Sequence, residues 1–147
     1  MNERILKVFT DGASRGNPGN AAIGIAIFDE NEDLISSHKE FLGKATNNYA
    51  EYSALLKSLD LLKELETGYD KIEFYSDSEL LVNQLTGRYI IRNESLKELA
   101  GKFMREIKLL GKRFEIFHVR REKNKIADKL ANEAIDAVVK KPVKQIQ

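Results

Sequence analysis

Four acidic residues of this chain, Asp11, Glu51, Asp77 and Asp128, stand at structurally meaningful places. Asp11 closes the apolar run Ile5-Leu6-Lys7-Val8-Phe9-Thr10, and Asp77 closes a second, Ile72-Glu73-Phe74-Tyr75-Ser76. Glu51 and Asp128 each fall in the first turns of a predicted helix. Carboxylates at strand ends and helix starts can converge on one end of a sheet. A carboxylate cluster with few basic neighbours is what hard divalent cations require. The spacing therefore points to metal-dependent phosphoryl chemistry.

Each acid alone also has a purely structural reading. Asp11-Gly12 is a turn pair. Glu51 closes a capping box with Asn48, and Ser76-Asp77-Ser78-Glu79 has a capping-box pattern of its own. Asp128 complements a helix dipole. The functional reading rests on the four occurring together.

The elements that must position them follow from periodicity. Residues 4–10 read as a strand, and 11–19 (Asp-Gly-Ala-Ser-Arg-Gly-Asn-Pro-Gly) as a turn-forming loop. Residues 21–29 form an almost continuously apolar second strand, expected to be central and covered on both faces. Residues 34–41 alternate as a half-exposed third. The clearest helix spans 46–65, with Leu55, Leu59 and Leu62 on its core stripe and Glu51 one turn before them. A strand at 71–76, a short helix at 78–85, a basic loop at 87–92 and a helix at 93–110 stopped by Gly111 follow. A strand at 113–119 and a helix at 124–139 complete the series.

The pattern predicts an α/β fold: a five-stranded mixed sheet, three antiparallel strands then two parallel additions, flanked by helices. A right-handed crossover from the first strand to the fourth makes them parallel neighbours and sets Asp11 beside Asp77. One domain is expected over residues 1–139, with a flexible tail at 140–147.

Composition narrows the class. Hydrophobic residues at 42% and charged residues at 32% fit a globular chain. No apolar stretch reaches the length, roughly 20 residues, that spans a bilayer. The absence of cysteine excludes disulfides and thiolate zinc sites and makes a cytoplasmic setting the expectation. The net charge of +1 hides an asymmetry: 16 Lys and Arg against 8 Asp and Glu from residue 86 onward, and 8 against 15 before it. A basic half suits a polyanionic partner, and an acidic half suits metal binding.

The stretches Thr10–Gly19, Thr46–Glu51 (Thr-Asn-Asn-Tyr-Ala-Glu), Tyr75–Ser78 and Asn124–Asp128 (Asn-Lys-Ile-Ala-Asp) together resemble the type 1 ribonuclease H family, in order and over about residues 4–139. The resemblance implies a ribonuclease H-like fold in the short bacterial or archaeal form. It also implies an Asp11–Glu51–Asp77–Asp128 site that holds two Mg²⁺ ions, with Mn²⁺ as a substitute. The implied reaction is hydrolysis of the RNA strand of an RNA–DNA hybrid, leaving 5′-phosphate and 3′-hydroxyl ends. By the same resemblance Asn17, Asn47 and Asn48 meet 2′-hydroxyls in the minor groove, which separate RNA from DNA. Thr46 and Asn93 grip a DNA-strand phosphate.

Two departures from the family stand out. The route from Leu85 to Asn93 is short and the chain has no Trp, so the basic protrusion of many members is missing. The family's mobile loop His has no counterpart either, since His118 falls within a strand and is expected to be structural; Arg121 or Glu122 is the candidate to take its role. A monomer acting on hybrid duplex, with no membrane attachment, is the expectation. The alternatives are a non-catalytic hybrid-binding protein and a related-fold nuclease acting on DNA or double-stranded RNA.

Overall fold

Strand β1 (Ile5–Gly16), paired along both edges, sits at the middle of a five-stranded sheet in the computed structural model; residues 3–65 and 68–139 are described. The remaining strands are β2 (Gly19–Phe28), β3 (Leu34–Ala45), β4 (Lys71–Ser76) and β5 (Arg113–His118), in the order β3-β2-β1-β4-β5. The first three are antiparallel; β4 joins β1 and β5 joins β4 in parallel. This is the predicted mixed sheet. The predicted tail at 140–147 lies outside the described residues.

Helices α1 (Asn47–Glu64), α2 (Glu79–Leu85) and α3 (Glu94–Leu110) connect the strands on one side, and α4 (Lys125–Val138) covers the other. The main core lies between the sheet and α1 and α3. There Leu6, Val8, Ile23, Ile25, Ile72 and Phe74 meet Leu55, Leu59, Leu62 and Phe103. Each such side chain contributes about 1.5–3 kcal/mol by leaving water. The α4 side is built from small residues, Ala13, Ala22 and Ala134 with Ile135, so helix and sheet approach closely. A Cβ added at Gly24 would lie 2.0 Å from the main-chain oxygen of Ala127. No helix among the described residues is long and apolar enough to cross a membrane.

Two sequence expectations change. The segment 11–19 is not a loop: β1 continues through Asp11 to Gly16, pairing residue by residue with β2 down to Gly16↔Gly19. Its turn-rich composition is overridden because β2 supplies a cross-strand partner for each residue, leaving only Asn17-Pro18 as the turn. Gly16, at φ 116°, takes the backbone conformation that closes it. β3 likewise runs on to Ala45, past a register shift opposite Ala21/Ala22, and Ser14 Oγ donates to the Ala45 oxygen at 2.8 Å. Gly111 does stop α3, at φ 66°, the left-handed conformation in which glycine commonly ends a helix.

Candidate active site

The parallel ladder between β1 and β4 ends at Thr10↔Ser76. One residue further along each chain come Asp11 and Asp77, so the two carboxylates leave the sheet at the same end. Asp11 is therefore in mid-strand, yet at the limit of the parallel pair. Glu51 reaches the same point from the second turn of α1. It is buried, as its place on the Leu55 stripe predicts, and its Oε1 accepts from the Gly12 N–H at 2.8 Å. That approach needs Gly12, where an added Cβ would stand 2.2 Å from the Ala50 carbonyl carbon. Asp11, Glu51 and Asp77 bring carboxylate oxygens within 4.8 Å of one another.

Asp128, half-buried in the first turn of α4, lies outside the 4.8 Å group but close enough for its charge to act on Asp11. α4 begins in place because Asn124 is buried and its Nδ2 donates to the Thr10 oxygen at 2.9 Å.

Electrostatically this is a strained cluster. Burial, then repulsion from Glu51, Asp77 and Asp128, pushes the Asp11 carboxyl far above the usual carboxylate range. Glu51 is raised for the same reasons, burial first and Asp77 next, although the Gly12 N–H and the Arg121 guanidinium draw it down. No ion pair among the described residues engages any of the four acids. Such a donor set, all oxygen and excess in negative charge, fits a hard divalent cation.

The capping readings resolve differently from the patterns. Thr46, not Asn48, caps α1, accepting from Tyr49 N–H at 3.1 Å. Ser78 caps α2, accepting from Leu81 N–H at 3.2 Å. Glu51 and Asp77 are thereby left to the cluster.

A separate cleft of about 530 Å³ brings together Asn17, Thr46, Asn48 and Asn93, with Lys44 and Ser95 beside them. Asn93 caps α3, accepting from Leu96 N–H at 3.0 Å. Two long helices thus aim their N-termini at one cleft, whose amide and hydroxyl donors suit an anion. Asn47 does not line it; its N–H donates to Asn17 Oδ1 at 3.0 Å, tying the hairpin turn to α1. Thr46 caps the helix that carries Glu51, so the two positions lie about 7.5 Å apart along its axis. Another cleft, about 590 Å³, runs beside Phe9, Phe28, Tyr75 and Ile126; none of the four acids lines it.

Sequence reasoning missed Asn124, Lys44 and Asn132. Asn132 stands four residues after Asp128, on the same helix face, which is the signal that finds it. Its Nδ2 donates to Asp128 Oδ1 at 3.2 Å. His118 belongs to β5, as expected, but at its last position and exposed.

Residues 9–134 match the family model described as reverse transcriptase-like. Ribonuclease HI of Halobacterium salinarum is 39% identical over 131 residues, 89% of this chain and 64% of that relative. Ribonuclease H of Clostridium botulinum is 31% identical, covering 88% of this chain and 94% of the relative. Among solved structures, LC11-RNase H1 in complex with RNA/DNA hybrid superposes with a TM-score of 0.85 at 37% identity, over 91% of this chain and 99% of that one. The chain spans 64% of the Halobacterium relative and about a third (34%) of its mycobacterial relatives.

Proposed function

Because the chain belongs to the type 1 ribonuclease H family, in its short form, we propose that it is an endonuclease hydrolysing the RNA strand of RNA–DNA hybrids, leaving 5′-phosphate and 3′-hydroxyl ends. The observation that carries this is the gathering of Asp11, Glu51 and Asp77 within 4.8 Å, with Asp128 against Asp11. These four carboxylates would hold two Mg²⁺ ions, or Mn²⁺ in their place. When bound, the cations supply Lewis-acid stabilisation of charge developing on the phosphate and lower the pKa of water.

The chain's own residues do the rest. The Thr46 hydroxyl and the Asn93 Nδ2 remain free to donate after their oxygens have capped the helices, so they hold a DNA-strand phosphate in the cleft. Asn17 and Asn48, on the same cleft, reach the minor groove, where an amide both donates to and accepts from a 2′-hydroxyl. Asn47 acts beside them through its own amide. Gly12 N–H orients Glu51, and Arg121 offsets part of its charge. The support for hybrid as substrate is that α1 carries both Glu51 and, at its start, Thr46 and Asn48 of this cleft, and that LC11-RNase H1 was solved with RNA/DNA hybrid. We place the activity in the cytoplasm, in a monomer.

The deciding experiment is cleavage of an end-labelled hybrid with and without Mg²⁺, beside duplex DNA and double-stranded RNA. Cleavage of the RNA strand of the hybrid alone, lost in Asp77→Asn, is the expected result. Binding of hybrid without cleavage in Mg²⁺ or Mn²⁺ would instead make the protein a binder.

A further expectation concerns the cleft. Thr46→Ala should raise KM for hybrid several-fold with kcat nearly unchanged, since the phosphate contact acts alike in ground and transition states. It should also cost about 1 kcal/mol of stability through the lost cap. Steady-state kinetics and a urea melt measure both; a fall in kcat alone would remove Thr46 from substrate binding.

A further inference from the structure

Of the four acids, Asp128 is the one whose side chain is held by a neighbour on its own helix. Asn132, one turn on, donates from Nδ2 both to Asp128 Oδ1 at 3.2 Å and to the Asp128 main-chain oxygen at 3.0 Å. The other end of that amide is fixed too: Asn132 Oδ1 accepts from the Arg15 guanidinium at 3.2 Å. Arg15 is in turn paired with Asp136 Oδ1 at 2.7 Å. A guanidinium only donates and an ionised carboxylate only accepts, so the amide has a single workable orientation, oxygen toward Arg15 and nitrogen toward Asp128. The arrangement also keeps the Arg15 charge one residue away from Asp128. A guanidinium directly on that carboxylate would compete with a cation for it, whereas a neutral amide orients the oxygen and leaves its charge available.

Arg15 belongs to β1, close to the Asn17-Pro18 turn, whereas Asn132 and Asp136 belong to α4. The contact therefore also locks the helix carrying Asp128 to the hairpin carrying Asn17. We propose that Asn132, held by Arg15, is a positioning residue that sets the orientation of the Asp128 carboxylate and through it the cation affinity of the site. This rests on the assignment of Asp128 to the metal-binding group.

The test is Mn²⁺ titration of the protein without nucleic acid, by calorimetry, alongside the Mg²⁺ dependence of hybrid cleavage. Asn132→Ala should bind Mn²⁺ about tenfold more weakly, the lower end for a residue that orients a metal ligand. Its cleavage rate should approach wild type as Mg²⁺ is raised. Arg15→Leu should shift both in the same direction by less, and the double variant should equal Asn132→Ala, because Arg15 acts through Asn132. Lys39→Ala, which removes the 3.3 Å contact to Glu133 on α4, is the control for loosening of the helix and should titrate as wild type.

Unchanged Mn²⁺ affinity in Asn132→Ala would overturn the proposal, as would an equal loss in Lys39→Ala. So would a wild-type protein that binds no Mn²⁺. Should Asn132→Ala fail to fold, the exposed Arg15→Leu decides alone. Wild-type protein that binds Mn²⁺, with the expected loss in Asn132→Ala, but never cleaves hybrid would sink the nuclease reading and leave this one standing.

Discussion

Asp11→Asn should cut hybrid cleavage about a thousandfold or more at saturating Mg²⁺, the scale seen when one member of a catalytic constellation is removed. Asp11 is the acid on which Glu51, Asp77 and Asp128 all bear, so its loss reaches every part of the cluster. The same substitution should make the metal-free protein more stable, and the sign follows from proton linkage. A carboxyl whose folded-state pKa is raised binds protons in the folded state that the unfolded chain has released. Its stabilising effect is present at low pH and is lost as pH climbs above the ordinary values of 3.8 for Asp and 4.5 for Glu.

Metal-free wild type should accordingly melt at lower temperature near pH 8 than near pH 5, with Asp11→Asn showing a shallower decline. A divalent cation reverses the effect, because it binds the ionised cluster. At a hundredfold excess over Kd it adds about 2.7 kcal/mol, roughly 5–10 °C in a domain of this size. Thermal melts with and without Mg²⁺ at the two pH values, run on both proteins, check each part. Cleavage surviving in Asp11→Asn, or a melting temperature indifferent to Mg²⁺, would remove the cluster from the chemistry.

Gly24→Ala should destabilise the fold by about 3 kcal/mol, the upper part of the range for overpacking. The added methyl would lie 2.0 Å from the Ala127 oxygen and 2.7 Å from the Ala131 nitrogen. Both are helix backbone, so no side chain can swing aside and α4 must lift from the sheet. Lifting it draws Asn124 from the Thr10 oxygen and carries Asp128 away from Asp11. The loss of stability should thus come with a fall in kcat, since Gly24 is also the cross-strand partner of Asp11. A urea melt and steady-state kinetics measure the two together. A variant within about 0.5 kcal/mol of wild type, the size of an ordinary surface change, would show that the helix accommodates the methyl.

Much of the architecture was legible from the residues. The run 71–76 came out as β4 to the residue, and the crossover from β1 set Asp11 beside Asp77 because a parallel pair aligns its strand ends. Glu51 was legible from helical spacing alone, since a carboxylate on the Leu55 stripe has to point inward. The extension of β1 to Gly16 was not, because Asp11, Gly12, Ser14 and Gly16 have turn-forming preferences that only a partner strand overrides. The capping assignments slipped by two residues for a related reason: Ser, Thr and Asn crowd both helix starts, and local pattern does not say which hydroxyl faces the open N–H. Asn132 stayed hidden because an amide on a helix face is ordinary until Arg15, over a hundred residues earlier, is known to hold its other end.

The four acids come from β1, α1, the end of β4 and α4, segments that meet only when the whole sheet has been assembled. A chain whose last helix is not yet docked therefore carries only Asp11, Glu51 and Asp77 of the four carboxylates. Completion of the cluster is thereby coupled to the docking of α4 on the sheet.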